Sequence, residues 1–336
     1  MALKDPHDFL EQVWPLCAGR AGFSTPVGSH ALLLDCPDDS WMEALSRGFW
    51  KISQELEGDS PFHIRVIGRS DLERLPPFPL TLAQESVRGR IEPWCTDDFL
   101  AVGTLGGLFL ADRPRGRAVL YYAAPSSIPI WDLCAPLRTA LGFLLPAQGY
   151  HLLHGAAVSF QGSACLLVGK GGSGKSSSAL SALNPGSSLE FVSEDYTLVE
   201  SESLTVHPLY RSFKVGSAGF TRMPYLERFE KLGEQDQKIC SLLDGSLSPK
   251  PARLKAVLWP DLHEPTLLGP IPRATALLKL APSTLFQNPN ARREDFQALA
   301  ALCRRLDSYC LGLGRQPSFE VVEKSLQGLL GEFASL

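Results

Sequence analysis

No uninterrupted apolar run in this 336-residue chain approaches the length that spans a bilayer. Leu133 to Val158 is broken by Arg138, Pro146, Gln148 and His151, so no membrane partner is expected. The first residues, Met-Ala-Leu-Lys-Asp-Pro-His-Asp, lack the apolar centre of a secretion signal. The eight cysteines make no C-x-x-C pair and no His/Cys spacing suited to zinc, which excludes zinc fingers and redox dithiols. Cys36, Cys165 and Cys303 sit in apolar runs, where a free thiol behaves as a small hydrophobe. Reduced thiols and a cytoplasmic location are the expectation. An excess of positive charge is missing too. With 32 basic and 36 acidic residues the net charge is −4, which leaves no electrostatic footprint for nucleic acid. Internal repeats and low-complexity tracts are absent.

What is present is a globular composition, 44% hydrophobic and 20% charged, on a chain long enough for two domains. Residues 1–125 read as a smaller α+β domain of unassigned role. Its expected elements are a helix over Asp8 to Leu16, strands over His30 to Leu34 and Phe62 to Ile67, and a helix opened by a capping box at Ser40–Glu43. Trp41, Leu45, Phe49, Ile52 and Leu56 recur along that helix as a core face. Strands Phe99 to Leu110 and Arg117 to Ala123 flank a turn at Asp112–Gly116. Pro125 to Pro129 marks the expected boundary with a second domain, residues 130–336. A helix over Trp131 to Leu145, kinked at Pro136, opens that domain.

The second half carries the chemistry. Gly169-Lys170-Gly171-Gly172-Ser173-Gly174-Lys175-Ser176 fills the pattern G-x-x-x-x-G-K-[ST], the phosphate-binding loop. Chance matches in a chain this long occur on the order of 1 time in 100 at average usage. Leu166 to Val168 suits a buried strand entering the loop, and Ser176 to Leu183 suits a helix leaving it. Backbone N–H groups from Gly169, Gly171, Gly172, Ser173, Gly174 and Ser177 then converge on phosphate oxygens at a helix start. In this motif Lys175 reaches the outer phosphates and the Ser176 hydroxyl holds Mg²⁺.

His151 to Phe160 reads as one strand that turns at Gln161-Gly162 and pairs antiparallel with the strand feeding the loop, which puts His154 nearby. After a stop at Asn184-Pro185-Gly186, Leu189 to Val192 reads as a parallel strand beside the loop's own. Its carboxyl end brings Glu194 and Asp195 to Lys175 and Ser176, where acids suit metal binding or general-base duty. Thr205 to Val215 follows, with Arg211 and Lys214 close behind. Residues 216–250 read as loop-rich, a mobile lid or substrate loop. Leu254 to Trp259 and Ala274 to Leu280 are expected strands. Glu294 to Leu306, with Phe296 among its inward residues, and Val321 to Leu330 are expected helices.

The run His154-Gly155-Ala156-Ala157-Val158, the loop and Ser193-Glu194-Asp195-Tyr196 together resemble the kinase domain of HPr kinase/phosphorylase. The likeness is closer to the HPr-kinase-like serine kinases, which share a stretch similar to His207 to Lys214 and some of which sit beside genes for modified peptides such as lasso peptides. It covers roughly residues 130–330. The resemblance implies a phosphoenolpyruvate-carboxykinase-like P-loop fold with a mixed sheet. It implies ATP and Mg²⁺ as cofactors, with the metal at Ser176, Glu194 and Asp195. Asp195 maps to the family's proton acceptor and His154 to its active-site histidine. Glu194 replaces the family's usual first aspartate. The downstream Arg-Gly-Leu-Gly-like segment of true HPr kinases is missing, so phosphorolysis and HPr itself do not follow.

The expected activity is therefore transfer of the γ-phosphoryl group of ATP to a hydroxyl, foremost a serine of a protein or precursor peptide. Lys214, with Arg211 and Arg273 as weaker candidates, is the cation expected to meet the developing charge. Two alternatives stay open: a nucleotide-gated scaffold with little catalysis, and a small-molecule kinase or phosphatase on the same site. Homo-oligomerisation is left open as well.

Overall fold

The computed structural model describes residues 5–50, 60–75, 94–104, 107–264, 268–288, 291–314 and 318–335. The chain divides into two units, Met1–Gln148 with Asn288–Asn290, and Gly149–Gln287 with Ala291–Leu336. Both mix helices with sheets. No helix among the described residues is long and apolar enough to cross a membrane.

The described residues of the first unit form strands β1 (Gly22–Val27), β2 (His30–Asp35), β3 (Phe62–Ile67), β4 (Trp94–Cys95), β5 (Phe99–Thr104), β6 (Gly107–Asp112) and β7 (Arg117–Tyr122). They make one sheet in the order β1-β2-β3-β7-β6-β5-β4. Helix α1 (Pro6–Val13) lays Phe9, Leu10 and Val13 on Leu108, Leu110 and Val119. Along β6 the intervening Phe109 points to the opposite face, where it meets Tyr122 edge-on. The Tyr122 hydroxyl donates to Asp132 Oδ2 at 2.6 Å, which ties α3 (Ile130–Cys134) and α4 (Arg138–Leu144) to that face. The helix expected over Trp131 to Leu145 is thus split around Pro136, and it belongs to the first unit rather than the second.

Three other expectations change here. Phe99 to Leu110 is a hairpin of two strands, not one, with residues 105 and 106 outside the described set. Helix α2 (Asp39–Ser46) is capped by Asp38, whose side chain accepts from the Ser40 and Trp41 N–H groups, rather than by Ser40. It ends at Ser46, so Phe49 is buried without being helical, and Ile52 and Leu56 lie outside the described residues.

In the second unit β8 (Tyr150–His154), β9 (Ala156–Phe160), β10 (Ser163–Leu167), α5 (Lys175–Leu180), β11 (Glu190–Ser193), β12 (Tyr196–Glu200) and β13 (Thr205–His207) follow in order. Next come β14 (Ser212–Gly216), α6 (Ser217–Arg222), β15 (Glu230–Gln235), β16 (Lys238–Leu242), β17 (Ala252–Asp261), β18 (Leu268–Pro270), α7 (Arg273–Leu285), α8 (Arg293–Arg305), β19 (Asp307–Gly312) and α9 (Phe319–Ala334). The main sheet runs β11-β9-β10-β17-β13-β12-β8, with β19 beside the far half of β17. It is mixed: β10, β17 and β19 are parallel, and β9 is antiparallel to both β10 and β11. Ala164, Leu166 and Val168 bury against α7 and α8. The alternate residues Cys165 and Leu167 face the side carrying α5 and α9.

The strand entering the loop therefore has one neighbour as expected, β9, and one not, β17 in place of β11. Gln161 and Gly162 both have positive φ and close a two-residue hairpin, so β9 pairs with β10 as read. β11 is not beside β10, because β9 lies between them. Two reversals still leave β10 and β11 pointing the same way, and their carboxyl ends share one edge. β8, which bears His154, leaves β9 at Gly155 and pairs with β12 instead, His154 opposite Tyr196. Residues 216–250 hold a short helix and the hairpin β15–β16 rather than a lid without structure. Ala274 to Leu280 is helical: Pro272 precedes the first turn, and Ala276, Leu280 and Ala281 share one buried face. Phe296, expected inward, is 44% exposed.

Gly155 sits where the chain passes from β8 to β9. A Cβ there would lie 2.9 Å from the Leu167 carbonyl oxygen and 3.2 Å from Leu166 Cδ1. The first contact is backbone and cannot swing aside. Gly155→Ala is expected to cost about 1–3 kcal/mol, the usual range for overpacking, read as a lower urea midpoint. An unchanged midpoint would show that the two strands separate freely at this point.

Candidate functional site

Six side chains converge at the carboxyl edge of β10 and β11. The loop between β10 and α5 has positive φ at Gly169, Gly172 and Gly174. Gly174, at φ +104°, is also crowded: a Cβ would stand 2.3 Å from Leu313 Cδ1, and that side chain would have to shift. The Lys175 ammonium folds back across the loop, donating to the carbonyl oxygens of Gly169 at 2.7 Å and Lys170 at 3.1 Å. Burial lowers its pKa, and the nearby Glu194 and Asp195 only partly restore it.

The acids follow β11. Asp195 has φ +65°, and Tyr196 N–H donates back to Glu194 C=O at 2.8 Å, the three-residue closure of a γ-turn. The corner is held from below by Thr197, whose Oγ1 lies 2.6 Å from Ser193 Oγ and donates to Gly155 C=O at 3.1 Å. It points the two carboxylates to different partners. Glu194 Oε1 accepts from the Ser176 hydroxyl at 2.5 Å, and its Oε2 accepts from the Lys214 N–H at 2.8 Å. Asp195 Oδ2 meets the Lys214 ammonium at 2.8 Å, and Oδ1 lies 3.3 Å from His154 Nε2. Lys214 thus holds both acids, one through its backbone and one through its charge.

The environments drive the two acids apart. Burial pushes Glu194 up to about 7, and the adjacent Asp195 charge adds to the rise. Burial acts on Asp195 in the same direction, but the Lys214 ammonium and His154 outweigh it and hold that carboxyl well below the usual range. One acid is an anion at neutral pH. Its neighbour shares a proton with the solvent.

A cleft of about 560 Å³ opens alongside, lined by loop residues 170–173, His154, Trp259, Lys279, Phe286 and Gln287. Two buried polar atoms of residues lining it, Ser173 Oγ and His154 Nδ1, have no hydrogen-bond partner among the described residues. The Lys279 ammonium stands 3.6 Å from the centre of the Trp259 ring.

Of the residues singled out from sequence, Ser176, Glu194, Lys214, Asp195 and His154 form a connected array, and Lys175 stands beside it bonded to the loop carbonyls. Ser177 follows on α5. Arg273 does not join. Its guanidinium binds Leu306 C=O and Asp307 at the amino-terminal end of β19, while the loop follows the opposite end of the parallel strand β10. Arg211 precedes β14, its carbonyl taken by the Leu243 N–H. Thr284 and Gln287 were not legible beforehand: Thr284 Oγ1 accepts from the His154 N–H at 3.2 Å, and Gln287 accepts from the Tyr196 hydroxyl at 2.9 Å. Thr284 lies in the last turn of α7 and Gln287 just past its end, both beyond the expected strand Ala274 to Leu280, so no pattern points to either. Among the described residues, the cluster of potential metal ligands close enough to share an ion is His7, Glu11 and Asp112 in the first unit. Arg115 and Arg117 already pair with both of its acids.

No known family model matches the chain, and none of the curated proteins compared with it matches either.

The Glu194 environment makes a pH prediction. Its folded pKa of about 7 lies above the ordinary 4.5, so the folded state holds an extra proton between those values. Stability from this group is full below pH 4.5 and falls as pH rises toward 7. In metal-free protein, Glu194→Gln should remove that fall, so that the stability difference between variant and wild type shifts in favour of the variant from pH 4.5 to 7.5. Urea titrations across that range measure it, and a pH-independent difference would refute the burial effect.

Proposed function

We propose that the second unit binds ATP with Mg²⁺ and transfers the γ-phosphoryl group to a hydroxyl, foremost a serine of a protein or peptide. The observation that carries this reading is the continuous contact path from the phosphate loop through Ser176 and Glu194 to Lys214, Asp195 and His154. The HPr-kinase-like resemblance and its P-loop kinase fold belong to the same proposal.

The donor set fits the groups the reading requires. Loop amides at a helix start, the Lys175 ammonium and the unpaired Ser173 hydroxyl suit a polyphosphate. Ser176 and Glu194 present oxygen ligands only, which suits Mg²⁺ completed by water and phosphate. Bound there, the metal would neutralise charge on the phosphoryl oxygens. Glu194, raised by burial, is the carboxylate that a neighbouring cation would return to its ionised form.

Asp195 is ionised at neutral pH and accepts the proton of the attacking hydroxyl. Its pairing with Lys214 makes it a weak base. A weak base suffices because phosphoryl transfer passes through a loose transition state with little demand for a strong nucleophile. The Lys214 ammonium then lies beside the incoming hydroxyl and the transferring group, where it opposes developing negative charge. His154, anchored by the Thr284 hydroxyl at its N–H and by Asp195 at Nε2, borders the cleft and orients the acceptor.

Incubation with γ-labelled ATP and candidate peptides tests the reading. Label on a polypeptide serine supports it. Tight ATP binding with label remaining on ATP would favour the scaffold instead, and label on a small metabolite would move the acceptor class. Lys175→Ala is expected to lose ATP binding and turnover together. Asp195→Asn should keep nucleotide affinity while kcat falls by about 10²–10⁴-fold, the range for loss of a general base. Normal turnover in Asp195→Asn would remove that residue from the chemistry.

A further inference from the structure

Helix α7 lines the cleft and is bonded at its carboxyl end to the acid-bearing array. Thr284 Oγ1 accepts from the His154 N–H at 3.2 Å, and Gln287 accepts from the Tyr196 hydroxyl at 2.9 Å. His154 itself lines the cleft and lies 3.3 Å from Asp195. Trp259, also in the lining, stands against the start of the phosphate loop, where a Cβ on Gly169 would come 3.2 Å from its Cδ1. The cleft is therefore continuous with both the loop and the acids.

The core takes one face of α7. Ala276, Leu280 and Ala281 are buried there, and Leu277 and Leu285 pack against the same cluster. A second apolar row, Leu278, Pro282 and Phe286, recurs every four residues and lines the cleft instead. Leu278 is 70% exposed and Phe286 82%, more than any other large apolar side chain among the described residues. Pro282 has no N–H, so the Leu278 carbonyl is denied the i+4 donor that a helix ordinarily supplies. An apolar row beside an under-bonded backbone acceptor suits a polypeptide, which offers side chains to the row and an N–H to the carbonyl.

The charges in the lining are unequal. Lys170 is exposed at the loop, and the Lys279 ammonium is held 3.6 Å from the centre of the Trp259 ring. Against these two cations stands one acid, Asp261, whose Oδ1 accepts from the His263 N–H at 2.9 Å. A guest with an acidic side chain complements that balance. From Leu278 to Thr284 the helix rises about 9 Å, the length of roughly three residues of extended chain.

We propose that this cleft seats the acceptor polypeptide, and that Leu278, Phe286 and Lys279 select a serine with a bulky apolar residue and an acidic residue within about three positions of it. The inference rests on the phosphoryl-transfer reading above and narrows its acceptor. In the transfer the serine oxygen bonds the γ-phosphorus, ADP leaves, and the hydroxyl proton passes to Asp195.

A peptide library with one fixed serine and randomised flanks, labelled from γ-labelled ATP by the full-length chain, tests it beside calorimetric titration with Mg²⁺-ATP. Wild type should enrich Leu, Ile or Phe at one flanking position and Asp or Glu at another. Leu278→Asp and Phe286→Ser should lower kcat/KM for such a peptide by about 10–100-fold, the worth of one buried apolar side chain, with ATP affinity unchanged. Lys279→Glu should exchange the acidic preference for Lys or Arg. Serine labelling with no flanking preference, or a preference that all three variants retain, would overturn the proposal. Loss of ATP affinity in Leu278→Asp or Phe286→Ser would overturn it too, because the cleft would then hold the nucleoside. A wild-type dimer that Leu278→Asp converts to monomers would give the apolar row to a second copy of the chain and overturn it likewise. Wild type that binds ATP yet labels no peptide would defeat the selection and leave the nucleotide site standing. Failure of wild type to bind ATP would defeat the nucleotide reading and this inference with it.

Discussion

Two carboxylates on consecutive residues, Glu194 buried and Asp195 half-buried, repel each other, and the second unit depends on how Lys214 resolves that. Its ammonium neutralises Asp195, and its backbone N–H satisfies Glu194. Removing one partner from such a buried pair typically costs about 3–5 kcal/mol, since the remaining charge is stranded. The register of β14 is therefore as much a part of the site as the acids, because a one-residue slip would carry Lys214 to the other face. The result is asymmetric: one acid kept charged, its neighbour pushed toward neutrality by burial. Pairs of groups whose surroundings separate their pKa values are the usual basis of divided chemical roles.

The backbone that presents the acids is itself strained. A positive φ at a non-glycine residue closing a γ-turn is costly, and such conformations persist only where the surroundings over-determine them. Here the surroundings are identifiable. Ser193, Thr197 and the Gly155 carbonyl form a buried hydroxyl ladder under the corner, and the β8–β12 and β9–β11 pairings grip it from both sides. The same pairings bring His154 to Asp195, so the glycine after the histidine and the turn after β11 are two halves of one construction.

The first unit shows a contrasting use of charge. Arg65 donates to Asp35 and to the Trp14 carbonyl while its guanidinium covers the Trp14 ring at 4.1 Å, and Arg20 clamps Asp71 and the Val66 carbonyl. Every one of these ions has its partner, and the groups tie helix to sheet and loop to strand. In the second unit the orphaned hydroxyl of Ser173 stands out against that pattern.

By itself the sequence determined the local features whose cause is local. The glycine-rich loop at residues 169–174, the Gln161-Gly162 turn, the stop after Leu183 and the break at Pro136 all follow from glycine and proline positions, which act within a few residues. The loop lysine and serine were legible because a motif fixes their spacing, whereas the acidic pair followed from the expected order of the strands and His154 from the family resemblance. The tertiary structure alone decided which strands are neighbours: β9 between β10 and β11, and His154 beside β12. It also decided that Ala274 to Leu280 coils into a helix and that Arg273 binds at the amino-terminal end of β19. These depend on pairing across the sheet and on which side chains share a low-dielectric interior, and neither is encoded at any fixed spacing along the chain.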